Sequence, residues 1–266
     1  MSSSLPIGIF DSGIGGLTVA GAIHRILPNE QLIYYGDTAH LPYGDKSAEA
    51  IKNYSLNIGR FLLKQNCKMI IIACNTASSH AFDALINEIG DQVPVINVID
   101  PVVTAVVNAG KYHHVGVIGT KSTIQSGLYA SKISHINASM KVSSLATPLL
   151  APMIEEGFFD NNISHTVIQS YLSSPKLKNI DSLILACTHY PLIKAEINDY
   201  YKGKVDIINT ADIVAKYVKD QLEELDILSN SHPKGHRFYV SDYTKSFEKS
   251  TRLFFGETIS LKLQVI

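Results

Sequence analysis

The chain has 266 residues, 45% of them hydrophobic and 18% charged, with 17 glycines and a formal net charge of −1. This is an ordinary folded composition, long enough for one large or two small domains, and it excludes the disordered and low-complexity classes. A charge so near zero leaves no electrostatic footprint for nucleic acid or an anionic membrane, and so directs attention to a small-molecule ligand.

The opening segment, residues 1–6, has no basic stretch followed by a long apolar run, and no apolar stretch approaches the roughly 18 residues of a membrane helix. A cytoplasmic location is expected. Three cysteines without a Cys-x-x-Cys pair argue against a disulfide framework and an all-cysteine zinc site. Ten histidines form no convincing ligand constellation, so no metal is expected.

A short apolar run at 7–10 enters Asp11-Ser-Gly-Ile-Gly-Gly16, after which Leu17, Ala20, Ile23, Ile26 and Leu27 recur at helical spacing up to Pro28. That is strand, glycine turn, helix. Residues 31–36 read as a second strand and 37–44 as a loop. Ile51, Tyr54, Ile58, Phe61 and Leu62 predict an amphipathic helix over 47–66. It leads into Met69-Ile-Ile-Ile-Ala-Cys74, a buried strand that passes at once into the polar Asn75-Thr76. A helix is predicted over 80–89, a strand over 93–98, and a further helix opened by Asp100 as N-cap with Pro101 in its first turn.

The second half predicts strands over 115–119, 140–145, 182–186 and 205–208. The third ends in Ala186-Cys187-Thr-His-Tyr-Pro191, repeating the setting of Cys74. Asp11 and Cys74 are 63 positions apart and Thr120 and Cys187 67; Cys74 and Asp100 are 26 apart and Cys187 and Asp212 25. These spacings predict a duplication: an α/β fold of two pseudo-symmetric doubly wound domains, with largely parallel sheets facing a shared active-site cleft. The domains are expected at 1–98 plus 209–266 and at 99–208. The bland alternative is that α/β proteins in general repeat at about this period. The tail, with a strand at 237–241, a helix over 245–255 stopped by Gly256 and an extended end at 259–266, is expected to add strands to one half.

A thiol of ordinary pKa is only a few per cent thiolate at neutral pH, so a catalytic cysteine needs a neighbour or a helix N-terminus to depress its pKa. Cys74 and Cys187 each stand just before a predicted helix, where unpaired N–H groups favour an anion. His189 follows Cys187 by two residues, and Asp11 is expected to border Cys74. Buried cysteine is also a common core filler; Cys67, which has no such context, is read that way. Asn75, Thr76, Thr188 and His189 offer groups suited to a carboxylate or ammonium. The glycine turn at 11–16 either cradles an anion or is simply a tight turn, and it matches no nucleotide motif. His24, His113, His114 and His236 are read as structural.

Asp-Ser-Gly-Ile-Gly-Gly-Leu-Thr-Val at 11–19, Tyr-Gly-Asp-Thr-Ala-His-Leu-Pro-Tyr-Gly-Asp at 35–45, Ala-Cys-Asn-Thr-Ala-Ser at 73–78 and Ala-Cys-Thr-His-Tyr-Pro-Leu at 186–192 closely resemble the signatures of the glutamate racemase family, in that family's order and over nearly the whole chain. The resemblance implies interconversion of L- and D-glutamate without pyridoxal phosphate, metal or redox cofactor, supplying D-glutamate for peptidoglycan. It implies that one thiolate removes the α-proton and the other thiol returns a proton to the opposite face. A reaction that runs both ways through a planar carbanion needs an acid and a base of similar kind on two faces, and matched thiols meet that need.

Carried over residue by residue, the resemblance puts Cys74 as the base toward D-glutamate and Cys187 as the base toward L-glutamate, assisted by Asp11 and His189 respectively. Ser12, Tyr43, Gly44, Asn75, Thr76 and Thr188 would hold the substrate, together with Asp11 and His189. Thr120 and Thr123 match positions that bind a carboxylate. The family's glutamate near the second thiol corresponds to Glu155, with Glu156 as the adjacent alternative. The implied partner is glutamate, and the sequence leaves a homodimer open. Only about six residues precede the first strand, so the activation by a cell-wall precursor that accompanies a longer N-terminus in some relatives is not expected. The competing readings are a racemase of the aspartate or hydantoin type, a non-catalytic two-lobed binding protein, and a flavodoxin-like or dinucleotide-binding regulator.

Overall fold

The computed structural model describes residues 3–230, 233 and 235–266; Met1 and Ser2 of the opening segment lie outside the described residues. The first half of the chain runs β1 (Ile7–Asp11), α1 (Leu17–Ile26), β2 (Leu32–Gly36), α2 (Ala48–Lys64), β3 (Met69–Ile72), α3 (Asn75–Ile89), β4 (Val95–Asn97) and α4 (Ile99–Asn108). The second runs β5 (His114–Gly119), α5 (Lys121–Gln125), α6 (Leu128–Ile136), β6 (Lys141–Ala146), α7 (Leu150–Glu155), α8 (Asn162–Leu172), β7 (Ser182–Ala186), α9 (Lys194–Tyr201), β8 (Asp206–Ile208) and α10 (Thr210–Glu224). The tail supplies β9 (Arg237–Val240), α11 (Lys245–Phe255) and β10 (Lys262–Leu263).

One sheet has the order β10-β9-β2-β1-β3-β4 and the other β6-β5-β7-β8. Every pairing is parallel. Without the two tail strands, both sheets follow one plan: the first strand of the half lies between the second and third, and the fourth lies outside the third. The repeat read from residue spacing is therefore a repeat of strand order. The tail joins the first sheet, β9 against β2 and β10 against β9.

The aliphatic runs become strands because both faces of each sheet are covered, so β1 and β7 are buried at every position. On one face of the first sheet, α2 and α3 pack around Phe10, Ile33, Ile58, Ile70, Ile72 and Leu85. The core on its other face continues without a break into that of the second sheet. There α10 lies on α1, and α4 lies against both α6 and α10. Among the described residues no helix is long and apolar enough to cross a membrane.

Several boundaries differ from the sequence reading. The helix expected from residue 80 begins at Asn75, where the run Asn75 to Ser79 hides the apolar period. Its first turn is held by polar groups: the Cys74 sulphur accepts from the Ala77 N–H, and the Ser78 and Ser79 hydroxyls donate to the carbonyls of Ile72 and Asn75. Asp100 is not an N-cap. Helix α4 starts at Ile99, and Asn97 Oδ1 accepts from the N–H groups of Ile99 and Asp100 at 2.9 Å each. The strand expected over 93–98 shortens to β4, and that over 259–266 to β10. After Cys187 comes a 3₁₀ turn, Tyr190–Ile193, before α9.

Candidate active site

Parallel strands end at one edge of their sheet, and here the C-terminal ends of β1 and β3 face those of β5 and β7 across a cavity of about 220 Å³. The strand ends contribute Ser12, then Cys74, Asn75 and Thr76, then Thr120, and finally Ala186, Cys187, Thr188 and His189. The loop Leu41 to Gly44 and residues Ala151, Pro152 and Glu155 of α7 close the wall. Both thiols are 6% exposed and face the same space. Among the described residues this wall holds no lysine or arginine, and its carboxylate and imidazole are those of Glu155 and His189.

The two thiols differ sharply in their surroundings. Cys74 caps α3, with its sulphur 3.4 Å from the Ala77 nitrogen, and its S–H points to Ser12 Oγ at 3.7 Å. Burial, reinforced by the Asp11 charge, nevertheless pushes this thiol up to about 12. This corrects the expectation that the helix N-terminus would depress it: desolvation and a like charge outweigh one N–H donor. Asp11 is fully buried and stands outside the cavity wall. Its Oδ2 accepts from the Gly16 N–H at 2.8 Å, and among the described residues its Oδ1 has no hydrogen-bond partner. Burial raises its pKa, against the opposing pull of His189.

Cys187 lies 3.6 Å from His189 Nδ1, and His189 Nε2 lies 2.7 Å from Glu155 Oε1. Burial alone favours a neutral ring, but the bonds to Cys187 and Glu155 hold the His189 pKa well above its ordinary value. The second thiol therefore faces an imidazole braced by a carboxylate. The ring of Phe254 in α11 packs nearly perpendicular to the imidazole, with 5.3 Å between centroids. Glu156 is exposed at the end of α7, so Glu155 is the carboxylate that reaches the cavity.

The glycine turn serves close approach between the halves. A Cβ at Gly15 would lie 2.3 Å from His189 Cε1 and 2.7 Å from Thr188 Oγ1. Beside it, Thr18 Oγ1 donates to the Thr188 carbonyl at 2.9 Å. A Cβ at Gly44 would likewise lie 2.9 Å from Thr120 Cβ. Thr76 Oγ1 sits 2.9 Å from Thr120 Oγ1 and 3.0 Å from Thr123 Oγ1, so three hydroxyls from the two halves form one cluster. Thr120 lines the cavity, and Thr123 is buried outside the wall. Tyr43 is held by its hydroxyl, which donates to Asp37 Oδ2 at 2.6 Å.

The structure thus brings to the cavity Ser12, Tyr43, Gly44, Asn75, Thr76, Thr120, Glu155, Thr188, His189 and both cysteines, and leaves Asp11 and Thr123 one layer out. Sequence reasoning missed Leu41, Pro42, Ala151, Pro152 and Ala186, whose apolar side chains carry no chemical signal. Among the described residues no group of three or more His, Cys, Asp and Glu side chains is placed to hold a metal ion. The arrangement offers two proton-carrying thiols from equivalent strand ends, with neutral hydroxyl and amide groups between them.

A family model described as Asp/Glu/Hydantoin racemase matches residues 15–218. A glutamate racemase of Geobacter metallireducens is 40% identical over 260 residues, covering 97% of this chain and 96% of its own. One of Aquifex aeolicus is 39% identical, covering 97% of each chain. Among solved structures, glutamate racemase from Francisella tularensis in complex with D-glutamate superposes with a TM-score of 0.92 at 39% identity, over 99% of this chain and 98% of that one. An aspartate racemase from Picrophilus torridus, at 16% identity and a TM-score of 0.60 over 95% of this chain and 99% of that one, shares the fold.

Proposed function

This chain belongs to the Asp/Glu/Hydantoin racemase family, and we propose that it interconverts L- and D-glutamate by deprotonation at one thiol and reprotonation at the other, supplying D-glutamate for peptidoglycan in the cytoplasm. The observation that carries the reading is the pair Cys74 and Cys187, delivered to one cavity from the ends of β3 and β7. Relatives at about 40% identity over nearly the full chain support glutamate over aspartate as the substrate.

The resting enzyme holds Cys74 as a thiol, because burial and Asp11 oppose its ionisation. Cys187, beside His189, is then the base, and the family resemblance makes L-glutamate the enantiomer it deprotonates. Proton removal from Cα leaves a planar carbanion, and the Cys74 S–H delivers a proton to the opposite face. The reverse cycle needs the Cys74 thiolate, which Ser12 and the Ala77 N–H stabilise and Asp11 disfavours. An α-proton is far less acidic than a thiol, so the carbanion itself has to be stabilised. Asn75, Thr76, Thr120 and Thr188 supply preorganised polar groups in a mostly closed site, where such bonds are strongest. The sheets further support a division into 1–98 plus 209–266 and 99–208, with the cavity between the two units.

Circular dichroism and mass spectrometry of L-glutamate incubated with chelator-treated enzyme in D2O test the reading. Loss of optical activity, with deuterium appearing early in the D-product, is expected. Cys74→Ser and Cys187→Ser should each retain the fold and lose about three orders of magnitude or more in turnover, because serine is a far weaker acid and base. Near wild-type turnover in either variant would end the two-thiol mechanism, and turnover of aspartate in place of glutamate would correct the substrate.

A further inference from the structure

Asn75 is the first residue of α3, directly after Cys74, and its side chain lines the cavity. Among the described residues its amide has one hydrogen bond, from the opposite half of the molecule: the Tyr129 hydroxyl, in the first turn of α6, donates to Asn75 Oδ1 at 2.7 Å. Tyr129 is 3% exposed, and among the described residues its hydroxyl has no other partner. An amide carries a donor end and an acceptor end of nearly the same shape, and a phenol can face either. Burial decides between them. If the Asn75 NH2 faced Tyr129, the phenolic hydrogen would be left without an acceptor in a dry site, at the full desolvation cost. The phenol therefore donates, Oδ1 is occupied, and the NH2 end points the other way. Among the described residues Asn75 Nδ2 has no hydrogen-bond partner, and it is not sealed from the cavity.

We propose that Tyr129 is a positioning residue that locks the Asn75 amide with its NH2 toward the cavity, making Asn75 a dedicated donor to a carboxylate of the substrate. The substrate class rests on the racemase reading above; the amide orientation does not. Burial, with Asp100 and Cys187 nearby, also raises the Tyr129 pKa, so the phenol keeps the proton this role requires. The bond crosses between the halves and engages the neighbour of a catalytic thiol, so it also sets the distance at which the carboxylate is held from Cys74.

The test is a double-mutant cycle between Tyr129→Phe and Asn75→Ala, read in steady-state racemisation. Enantiomers have equal free energies, so kcat/KM must match in the two directions for every variant, which checks the data internally. Tyr129→Phe, which keeps the ring, is expected to raise KM for both enantiomers about tenfold, as for one hydrogen bond to a charged group, with a smaller fall in kcat. In the Asn75→Ala background the same substitution should change KM by less than twofold. Equal losses in both backgrounds would show that Tyr129 acts only through packing and would overturn the proposal, as would an unchanged KM in the single variant. The second readout does not need turnover. In protein labelled with ¹⁵N-asparagine, D-glutamate should shift the Asn75 side-chain NH2 resonances, identified by their loss in Asn75→Ala. A wild type that is silent on glutamate but has an Asn75 NH2 pair that responds to acetate would fail the substrate reading and keep the amide orientation. An NH2 pair unmoved by either carboxylate would fail the orientation itself.

Discussion

The two thiols are equally exposed and line one cavity, so their reactivity toward a small reagent isolates the effect of their electrostatic surroundings. Methyl methanethiosulfonate is small enough to enter and reacts by thiolate attack on sulphur. With a pKa of about 12 against an ordinary 9.0, Cys74 at pH 8 holds about a thousandfold less thiolate than an unperturbed thiol. A more basic thiolate is also more nucleophilic, with a Brønsted slope near 0.45, which returns a factor of about twenty. The net expectation is that Cys74 reacts about fifty-fold more slowly than an unperturbed thiol of equal access. Cys187, 3.6 Å from the His189 imidazole, should react before it. Timed quenching followed by peptide mass spectrometry gives the three site-specific rates, with buried Cys67, also pushed up to about 12, as the slow control. Asp11→Asn removes the like charge and should speed Cys74 severalfold, leaving Cys67 unchanged. Reaction of Cys74 as fast as Cys187 in the wild type, or a slower Cys74 in Asp11→Asn, would refute the assignment of Cys74 as the resting acid.

Other substitutions probe the frame around the site. Gly15→Ala drives a methyl into the His189 ring and the Thr188 hydroxyl; it should cost about 1–3 kcal/mol in denaturant unfolding and at least about a hundredfold in kcat/KM. Glu155→Gln removes the carboxylate that helps raise the His189 pKa. A raised histidine pKa stabilises the fold fully below the unfolded value near 6.5 and ceases to do so as pH rises through the folded value. The variant's deficit, about 1–3 kcal/mol, should thus be largest near pH 5.5 and shrink toward alkaline pH in urea titrations, and a deficit that grows with pH would contradict the sign. Lys68 and Glu30 form a fully buried pair at 2.7 Å, and the Lys68 ammonium also donates to the carbonyls of Ser3 and Ile227. Lys68→Met leaves the Glu30 carboxylate buried and uncompensated and should cost about 3–5 kcal/mol, while Lys68→Met with Glu30→Leu should recover much of it. Near-additive losses would count against an electrostatic origin.

Much of the architecture was legible because parallel strands buried on both faces leave a plain signature. The runs ending in Asp11, Cys74, Gly119 and Cys187 hold only apolar residues and glycine up to the last residue and turn polar or glycine-rich directly after it. Besides the strands that shortened, two helix starts failed because polar groups set them: Cys74 capping α3 and Asn97 capping α4 carry no apolar period, so the starts at Asn75 and Ile99 were misplaced. Within the site, Tyr43 and Thr188 were legible through the motifs that contain them. Leu41, Ala151 and Tyr129 were not, because an aliphatic wall residue or a buried phenol looks the same in a cavity as in a core.

The chemistry on offer was local and therefore written in the chain: two thiols at equivalent strand ends, each followed by polar residues suited to a carboxylate. What each thiol does at rest was decided only in three dimensions. A pKa answers to burial and to nearby charge, and those come from residues remote in sequence. Glu155 braces His189 from 34 positions away, and Tyr129 orients Asn75 from 54. Two similar strand ends thus acquire different surroundings because the fold places a carboxylate near one sulphur and a histidine braced by a carboxylate beside the other.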